Sequence, residues 1–516
     1  MSQSTTSPSN SHSLPAYPHD KGRLRIILSY WAVVLVCLPV WWGLTTVQRL
    51  PLPAAQVKDA GSRTLRIPID VKIDVLDDLC DAASFAAQVQ MGWNEAQSAQ
   101  RGSIWDALDV VLGTSEPERL DRSGVVYRVT VRQGYEEDPI VIYNRSFDIH
   151  SRSGCDQPLV DKVVSSLREL LAPAIQHTEL RVAQYAPRYR VAFSLLNEDA
   201  SDGGAVTGWL VEQAIRDHLQ PILRELDALH NFTVESQVQF YAPLTSDPVA
   251  AHDGYVLNQE QLTIFVNSAE WTLSSSVSND PVLHFVLYVP SSQRRPLYIQ
   301  DSHGVVSKSN SFLVPQWGGI AIFNPTTEGT ANMVLDSKDL APVFHLFKKQ
   351  LEGLLGIPTL PALASVNTEH TSTSRKTLTE WQLDTLLRRR TLENVQGSVQ
   401  ALTSIVGLVG QIENMPVGQT VRSDVLSALD ELAQVHNTSQ PIQTLFHSAR
   451  SLLLASKAFF NPDMVGLLYF PAEHKYAVYT PLFAPIAVPL IVSVIRELKA
   501  RRNAAAMTHG RKSKAE

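Results

Sequence analysis

The chain has 516 residues, 44% of them hydrophobic and 18% charged, with 44 Lys+Arg against 51 Asp+Glu and a net charge of −7. That length allows two or three packed units, and the acidic balance argues against a nucleic-acid partner, which requires a basic footprint. Its three cysteines, Cys37, Cys80 and Cys155, are too few for a disulfide framework.

Residues 1–25 open as a Ser-, Pro- and Thr-rich stretch with no apolar period, which reads as a disordered tail. The run 26–47 then holds 22 residues without a charge, enough to cross a bilayer core of about 30 Å. No small-residue cleavage site follows, so the run reads as a retained anchor and not a removed signal peptide. Lys21, Arg23 and Arg25 precede it and put the amino terminus in the cytosol.

Alternating Ile67, Ile69, Val71, Ile73 and Val75 predict a strand over 66–75. Helical spacing follows over 77–111, broken around Arg101-Gly102. The acids Asp74, Asp77, Asp78 and Asp81 lack the glycine turn of a calcium loop and suit a helix start. Strands are expected over 125–131 and 140–149, and a helix over 161–171 ends before Pro173. The pattern continues with a strand over 189–196, a long helix over 206–229, and strands over 232–241, 262–267, 281–289, 296–299 and 320–323. A helix over 339–355 closes this part. Strands alternating with long helices imply a mixed α/β domain over 48–360 with a covered sheet. A Pro/Ser/Thr-rich linker near 360–375 leads into a helical section, 361–475, with helices over 378–409, 421–436 and 440–459.

A second uncharged run of 20 residues occupies 476–495, and the tail 496–516 carries seven basic residues against Glu497 and Glu516. That tail is expected in the cytosol as well, which makes the fold class a membrane-anchored α/β protein. Two transmembrane helices flank a large lumenal mixed α/β domain with a helical C-terminal section. Between the two spans stand 34 Lys+Arg and 48 Asp+Glu, a balance of −14. Pro481, Pro485 and Pro489 recur every four residues on one face of the second run, and each removes a helical hydrogen bond. Neither run contains an ionisable acid, amine, guanidine or imidazole, which argues against an ion pathway.

No nucleophile-elbow, zinc-protease, C-x-x-C or phosphate-loop motif occurs, and no cofactor or metal is called for. Cys80 and Cys155 are expected on the far side of the membrane, where a bridge between them is allowed if the compartment is oxidising. His150 lies close to Cys155 in sequence, and a Cys–His pair is the minimum for thiol catalysis. A free-standing lumenal thiol hydrolase using Cys80 or Cys155 is therefore the competing reading. Asn144, Asn231 and Asn437 begin N-glycosylation sequons. Lys512 and Lys514, five and three positions from the end, match a dilysine retrieval signal for the endoplasmic reticulum.

The segments YAPRYRVAFSLLNED (185–199), WLVEQAIRDHLQPILRELDALHNFTVESQVQFYAPL (209–244), IFVNSAEWTLSSSVSNDPVLHFVLYVP (264–290) and WGGIAIFNP (317–325) resemble the PIG-S family. The two-span layout resembles it too. This resemblance implies a non-catalytic subunit of the glycosylphosphatidylinositol (GPI) transamidase of the endoplasmic reticulum membrane. The complex removes a C-terminal signal and joins the new carboxyl end to a GPI lipid, and the subunit supports formation of the carbonyl intermediate. The resemblance further implies a catalytic cysteine in another subunit, PIG-K, with PIG-T, PIG-U and a GAA-one-like subunit as further partners, and no catalytic residue in this chain.

Overall fold

The computed structural model describes residues 20–45, 49–99, 104–114, 125–135, 138–152, 154–172, 181–267, 270–273, 278–325, 332–361, 364–366, 377–412, 415–464 and 472–512. The chain divides into two compact units. One comprises Ala55–Thr403 and Leu426–Ala455; the other comprises Met1–Ala54, Ser404–Val425 and Ser456–Glu516.

The larger unit contains two large sheets and, among the described residues, two small ones. In the first, β1 (Ile67–Val75) lies between β2 (Leu108–Gly113) and β3 (Val126–Gln133), parallel to both. β3 pairs in parallel with β5 (Ser146–Ser151), which turns back on β4 (Ile140–Tyr143) as a hairpin. Parallel neighbours need crossover connections, and helices cover such sheets. α3 (Ala82–Ala99) buries Phe85, Val89 and Trp93, spaced four apart, and α4 (Gln157–Leu171) buries Val160, Val163, Leu167 and Leu171. The Asp81 carboxylate accepts the Ser84 amide at 2.9 Å, and the Asp156 carboxylate accepts the Leu159 amide at 3.3 Å at the head of α4.

The second sheet runs β13-β14-β11-β6-β8. β6 (Arg188–Asn197) is its centre, parallel to β8 (Asn231–Gln239) and β11 (Val282–Val289). β14 (Gly318–Ile322) continues the parallel set, and β13 (Ser311–Val314) pairs antiparallel at the edge. β6 is buried from Tyr189 to Asn197, as a continuous apolar run must be when both sheet faces are covered. On one face Phe193 and Phe285 stack with Phe344 and Phe347 of α8 (Ser337–Leu355). On the other face Leu196, Val286, Tyr288 and Ile320 meet Phe265 and Trp271, together with β10 (Gly254–Leu257) and β12 (Leu297–Ile299). β10 pairs with β12 and with β9 (Val249–Ala251) in a small third sheet.

Several expectations are corrected. The predicted helix 77–111 stops at Ala99, and its tail is β2, where Leu108, Val110 and Leu112 point inward with a period of two. The predicted strand 140–149 is a hairpin, because Asn144 takes a left-handed φ of 47°. The predicted helix 206–229 begins as β7 (Val206–Trp209), paired with β15 (Met333–Leu335). It becomes helical only as α5 (Val211–Ala214), a π-helical turn (Ile215–Leu219) and α6 (Gln220–Glu225). The predicted strand 262–267 is instead the end of α7 (Gln259–Thr263), which an Asn258/Gln261 capping box starts, followed by irregular chain over 264–267. In the predicted linker, β16 (Ala364–Val366) adds to β4 and completes a six-stranded first sheet.

The helical section comprises α9 (Glu380–Gln411), α10 (Gln419–Asn437) and α11 (Pro441–Phe459). Within the larger unit, Glu431 of α10 receives His447 at 2.7 Å and Arg450 at 2.9 Å from α11. The Ser451 hydroxyl donates to the Ala428 carbonyl at 2.9 Å. α2 (Ala54–Ser62) precedes the first sheet.

The smaller unit holds α1 (Asp20–Thr45) and α12 (Ala472–Lys512). The Trp41 ring lies 5.6 Å from Tyr479 and 5.5 Å from Phe483. Among the described residues one helical stretch, Ala477–Lys499, is long and apolar enough to cross a membrane; the apolar part of α1, Arg25–Trp41, is shorter. α12 runs unbroken through Pro481, Pro485 and Pro489, all three exposed.

Candidate functional surface

Cys80 and Cys155 are joined in a disulfide, with Cα atoms 5.9 Å apart. It ties the loop before α3 to the loop before α4. His150 lies on β5 with its Nδ1 buried, but the sulfur it would need is committed to the bridge. The disulfide removes the thiols on which a hydrolase reading depends, and the free cysteine is Cys37, exposed on α1. Among the described residues no group of three His, Cys, Asp or Glu side chains is placed to hold a metal ion.

The three sequon asparagines are exposed and sit at element ends. Asn144 is at the tip of the β4–β5 turn, Asn231 begins the edge strand β8, and Asn437 is the last residue of α10. Lys512 ends α12, and Lys514 lies outside the described residues.

The densest polar chemistry lies where α9 enters the larger unit. Trp381 is fully buried against Tyr127 and Phe147 of the first sheet, with ring centroids 4.4 and 5.9 Å away. One turn on, Leu386 and Leu387 belong to the core of the second sheet. α9 therefore joins both cores, and it does so with charged residues between them. Asp384 accepts the Tyr127 hydroxyl at 2.7 Å and the Arg145 guanidinium at 2.7 and 3.1 Å. Arg145 also meets Glu380 at 3.0 Å. Arg388 donates to the Tyr127 hydroxyl at 2.6 Å and to the Thr385 hydroxyl at 2.9 Å, and Thr385 in turn donates to the Leu170 carbonyl at the end of α4. Burial, opposed by Arg388 and reinforced by Asp384, holds the Tyr127 phenol far above its usual range, so it stays a neutral bridge. Arg390 donates to the Ala183 and Leu355 carbonyls at 3.3 and 3.0 Å and meets Glu393 at 2.7 Å.

Two histidines are tuned by burial. His230, whose ring contacts the Ala186 carbonyl at 2.6 Å, is pushed down to about 4, as is His284, which stacks on Trp317 at 4.7 Å. Neither adjoins a nucleophile; both are neutral packing groups. This chain arranges these polar residues to fix helices on sheets. The joint on α9 is not among the sites expected from the sequence. Its signal was three consecutive arginines, Arg388, Arg389 and Arg390, inside an apolar helical period of an acidic domain.

A family profile described as "Phosphatidylinositol-glycan biosynthesis class S protein" matches residues 28–504. The chain belongs to this family. Members of the PIG-S family similar to it include the rat "GPI-anchor transamidase component PIGS", 29% identical over 534 residues that cover 92% of this chain and 94% of the rat protein. The fission yeast "GPI transamidase component PIG-S homolog" is 27% identical over 93% of this chain and 85% of its own length. The budding yeast "GPI transamidase component GPI17" is 24% identical over 90% of this chain and 89% of its own. The PIG-S match thus takes in both sheets, the helical section and most of the two terminal helices.

Proposed function

We propose that this chain is a non-catalytic subunit of the GPI transamidase complex and supports attachment of GPI anchors to precursor proteins. The observation that carries this reading is the near full-length match to relatives named as transamidase components. The catalytic cysteine then resides in another subunit of the PIG-K kind, and PIG-T, PIG-U and a GAA-one-like subunit are the other partners. The role includes support for the carbonyl intermediate. The Cys80–Cys155 bridge fits an oxidising lumen and leaves no thiol in the larger unit.

In this reading α1 and α12 both cross the endoplasmic reticulum membrane, both termini are cytosolic, and the larger unit is lumenal. The exposed Asn144, Asn231 and Asn437 are then open to glycosylation, and Lys512 with Lys514 acts as a retrieval signal. Two anchors hold the lumenal unit in a thin layer, where partners meet it at high effective concentration. The test is a mild-detergent pull-down from membranes, with partners identified by mass spectrometry. Recovery of a cysteine-protease-like subunit and its companions supports the proposal; recovery of the chain alone overturns it. In cells lacking their own PIG-S relative, the chain restores surface display of a GPI-anchored reporter, and so does a Cys80→Ser/Cys155→Ser variant that still folds.

A further inference from the structure

Between β1, α9 and the turn from α10 to α11 the larger unit encloses a small cavity of about 30 Å³. Its polar walls are Arg66, Arg388, Thr391, Thr438, Ser439 and Thr444. No carboxylate is among its lining residues. Arg388 is 4% exposed, and both of its hydrogen-bond partners, the Tyr127 and Thr385 hydroxyls, are neutral. Its Nε is buried and has no acceptor among the described residues. Asp384 answers its charge only at one remove, through the Tyr127 hydroxyl, and a buried donor left without an acceptor is costly.

The other wall is the amino terminus of α11, a helix of 19 residues that begins at Pro441 with no acidic residue in its first turn. Proline there has no amide, and the Ile442 and Gln443 amides have no intrahelical acceptor. The Thr444 amide is satisfied by the Gln440 carbonyl at 2.9 Å; Pro441 and Thr444 line the cavity, while Ile442 and Gln443 are exposed beside it. The helix dipole adds positive potential at the same place. Thr391 and Thr444 donate their hydroxyls to the Leu387 and Pro441 carbonyls. The polar part of the wall thus carries two arginines and no carboxylate, and Leu65, Ile67, Ile69, Val125 and Val435 make the rest apolar.

We infer that this cavity is a binding site for one small monovalent anion, a chloride ion or a single carboxylate group, held by Arg388 and the first turn of α11 with Arg66 at its mouth. The volume matches that class: a water needs about 10–15 Å³ by this measure, so there is room for a halide or a carboxylate head and little more. The anion would join three pieces, the start of β1, the middle of α9 and the α10–α11 turn. That turn contains the Asn437 sequon.

The experiment is thermal unfolding of the purified full chain in detergent at constant ionic strength, with chloride replacing gluconate, which is too large to enter. The unfolding midpoint rises with chloride and saturates, and the Arg388→Gln and Thr444→Val variants weaken the half-saturating concentration at least tenfold and a few-fold respectively. Acetate reproducing the rise while chloride does not would identify a carboxylate no larger than acetate as the natural occupant. Superimposed chloride, acetate and gluconate curves would overturn the inference, as would an undiminished chloride response in Arg388→Gln. Bromide anomalous scattering from the wild-type protein gives a readout that no unfolded variant can confuse: a peak beside Arg388 is expected, and water alone there would sink the idea.

Discussion

Replacing Asp384 by alanine tests the joint that fixes α9. The Asp384 side chain is 2% exposed and accepts three hydrogen bonds, one from the Tyr127 hydroxyl and two from Arg145. Removing one partner of a buried charged pair costs about 3–5 kcal/mol. Arg145 is 35% exposed and keeps Glu380 at 3.0 Å, so water and that carboxylate recover part of its loss. Tyr127 and Arg388 recover none, because both are buried. The expected loss is therefore at the lower end, about 3 kcal/mol. Asp384→Asn keeps the shape and one acceptor and should lose about 1–2 kcal/mol. Urea unfolding followed by tryptophan fluorescence is the assay, since Trp381 lies against the Tyr127 ring and senses this joint. A double-mutant cycle with Arg145→Ala should return a coupling of about 1 kcal/mol or more. An Asp384→Ala protein within 0.5 kcal/mol of the parent would refute the view that this network holds α9 to the first sheet.

Lowering pH should weaken the larger unit. His230 and His284 have folded values near 4, below the ordinary 6.5, so their contribution is full above pH 6.5 and fades as pH falls towards 4. At pH 5 each has lost about 2 kcal/mol relative to neutral pH, and equilibrium unfolding at the two pH values should register about twice that; a flat profile would contradict the assignment. Gly318→Ala should cost at least about 3 kcal/mol, because an added Cβ would stand 1.9 Å from the His284 carbonyl oxygen of the neighbouring strand; thermal melting reads this directly. Cysteine-to-serine replacement at 80 and 155 opens a loop with a sequence separation of 75 and should cost about 4–5 kcal/mol on the loop-entropy account, measured against the parent with and without reductant. Replacing Pro481, Pro485 and Pro489 with leucine should leave the larger unit folded but reduce recovery of partner subunits; unchanged recovery would remove the exposed proline face from the assembly.

The elements that were legible in the sequence are those whose signal is local. β6 and β11 read as strands because a strand covered on both faces is a continuous apolar run, and α8 through α11 read as helices because their apolar period persists for several turns. What escaped is short and paired at a distance. β7 and β15 are four and three residues long and make sense only together, and β16 gains its hydrogen bonds from β4. Three residues carry too little pattern to outweigh the helix propensity or the Pro/Ser/Thr composition around them. The same holds for the polar joint: Asp384, Tyr127 and Arg145 come from a helix, a strand and the β4–β5 turn, and no spacing within any of them announces the others. For the cysteines the order of elements set no pairing; the fold brings the two loops together.

The contact between Trp41 and Tyr479 also sets a timetable. The two residues are separated by more than four hundred positions, and a ribosome adding roughly 5–20 residues per second needs on the order of 20–90 seconds to cover that distance. Throughout that interval α1 exists without its neighbour, while both sheets and their crossovers are being laid down. The place of its 26 residues cannot depend on α12 during that time.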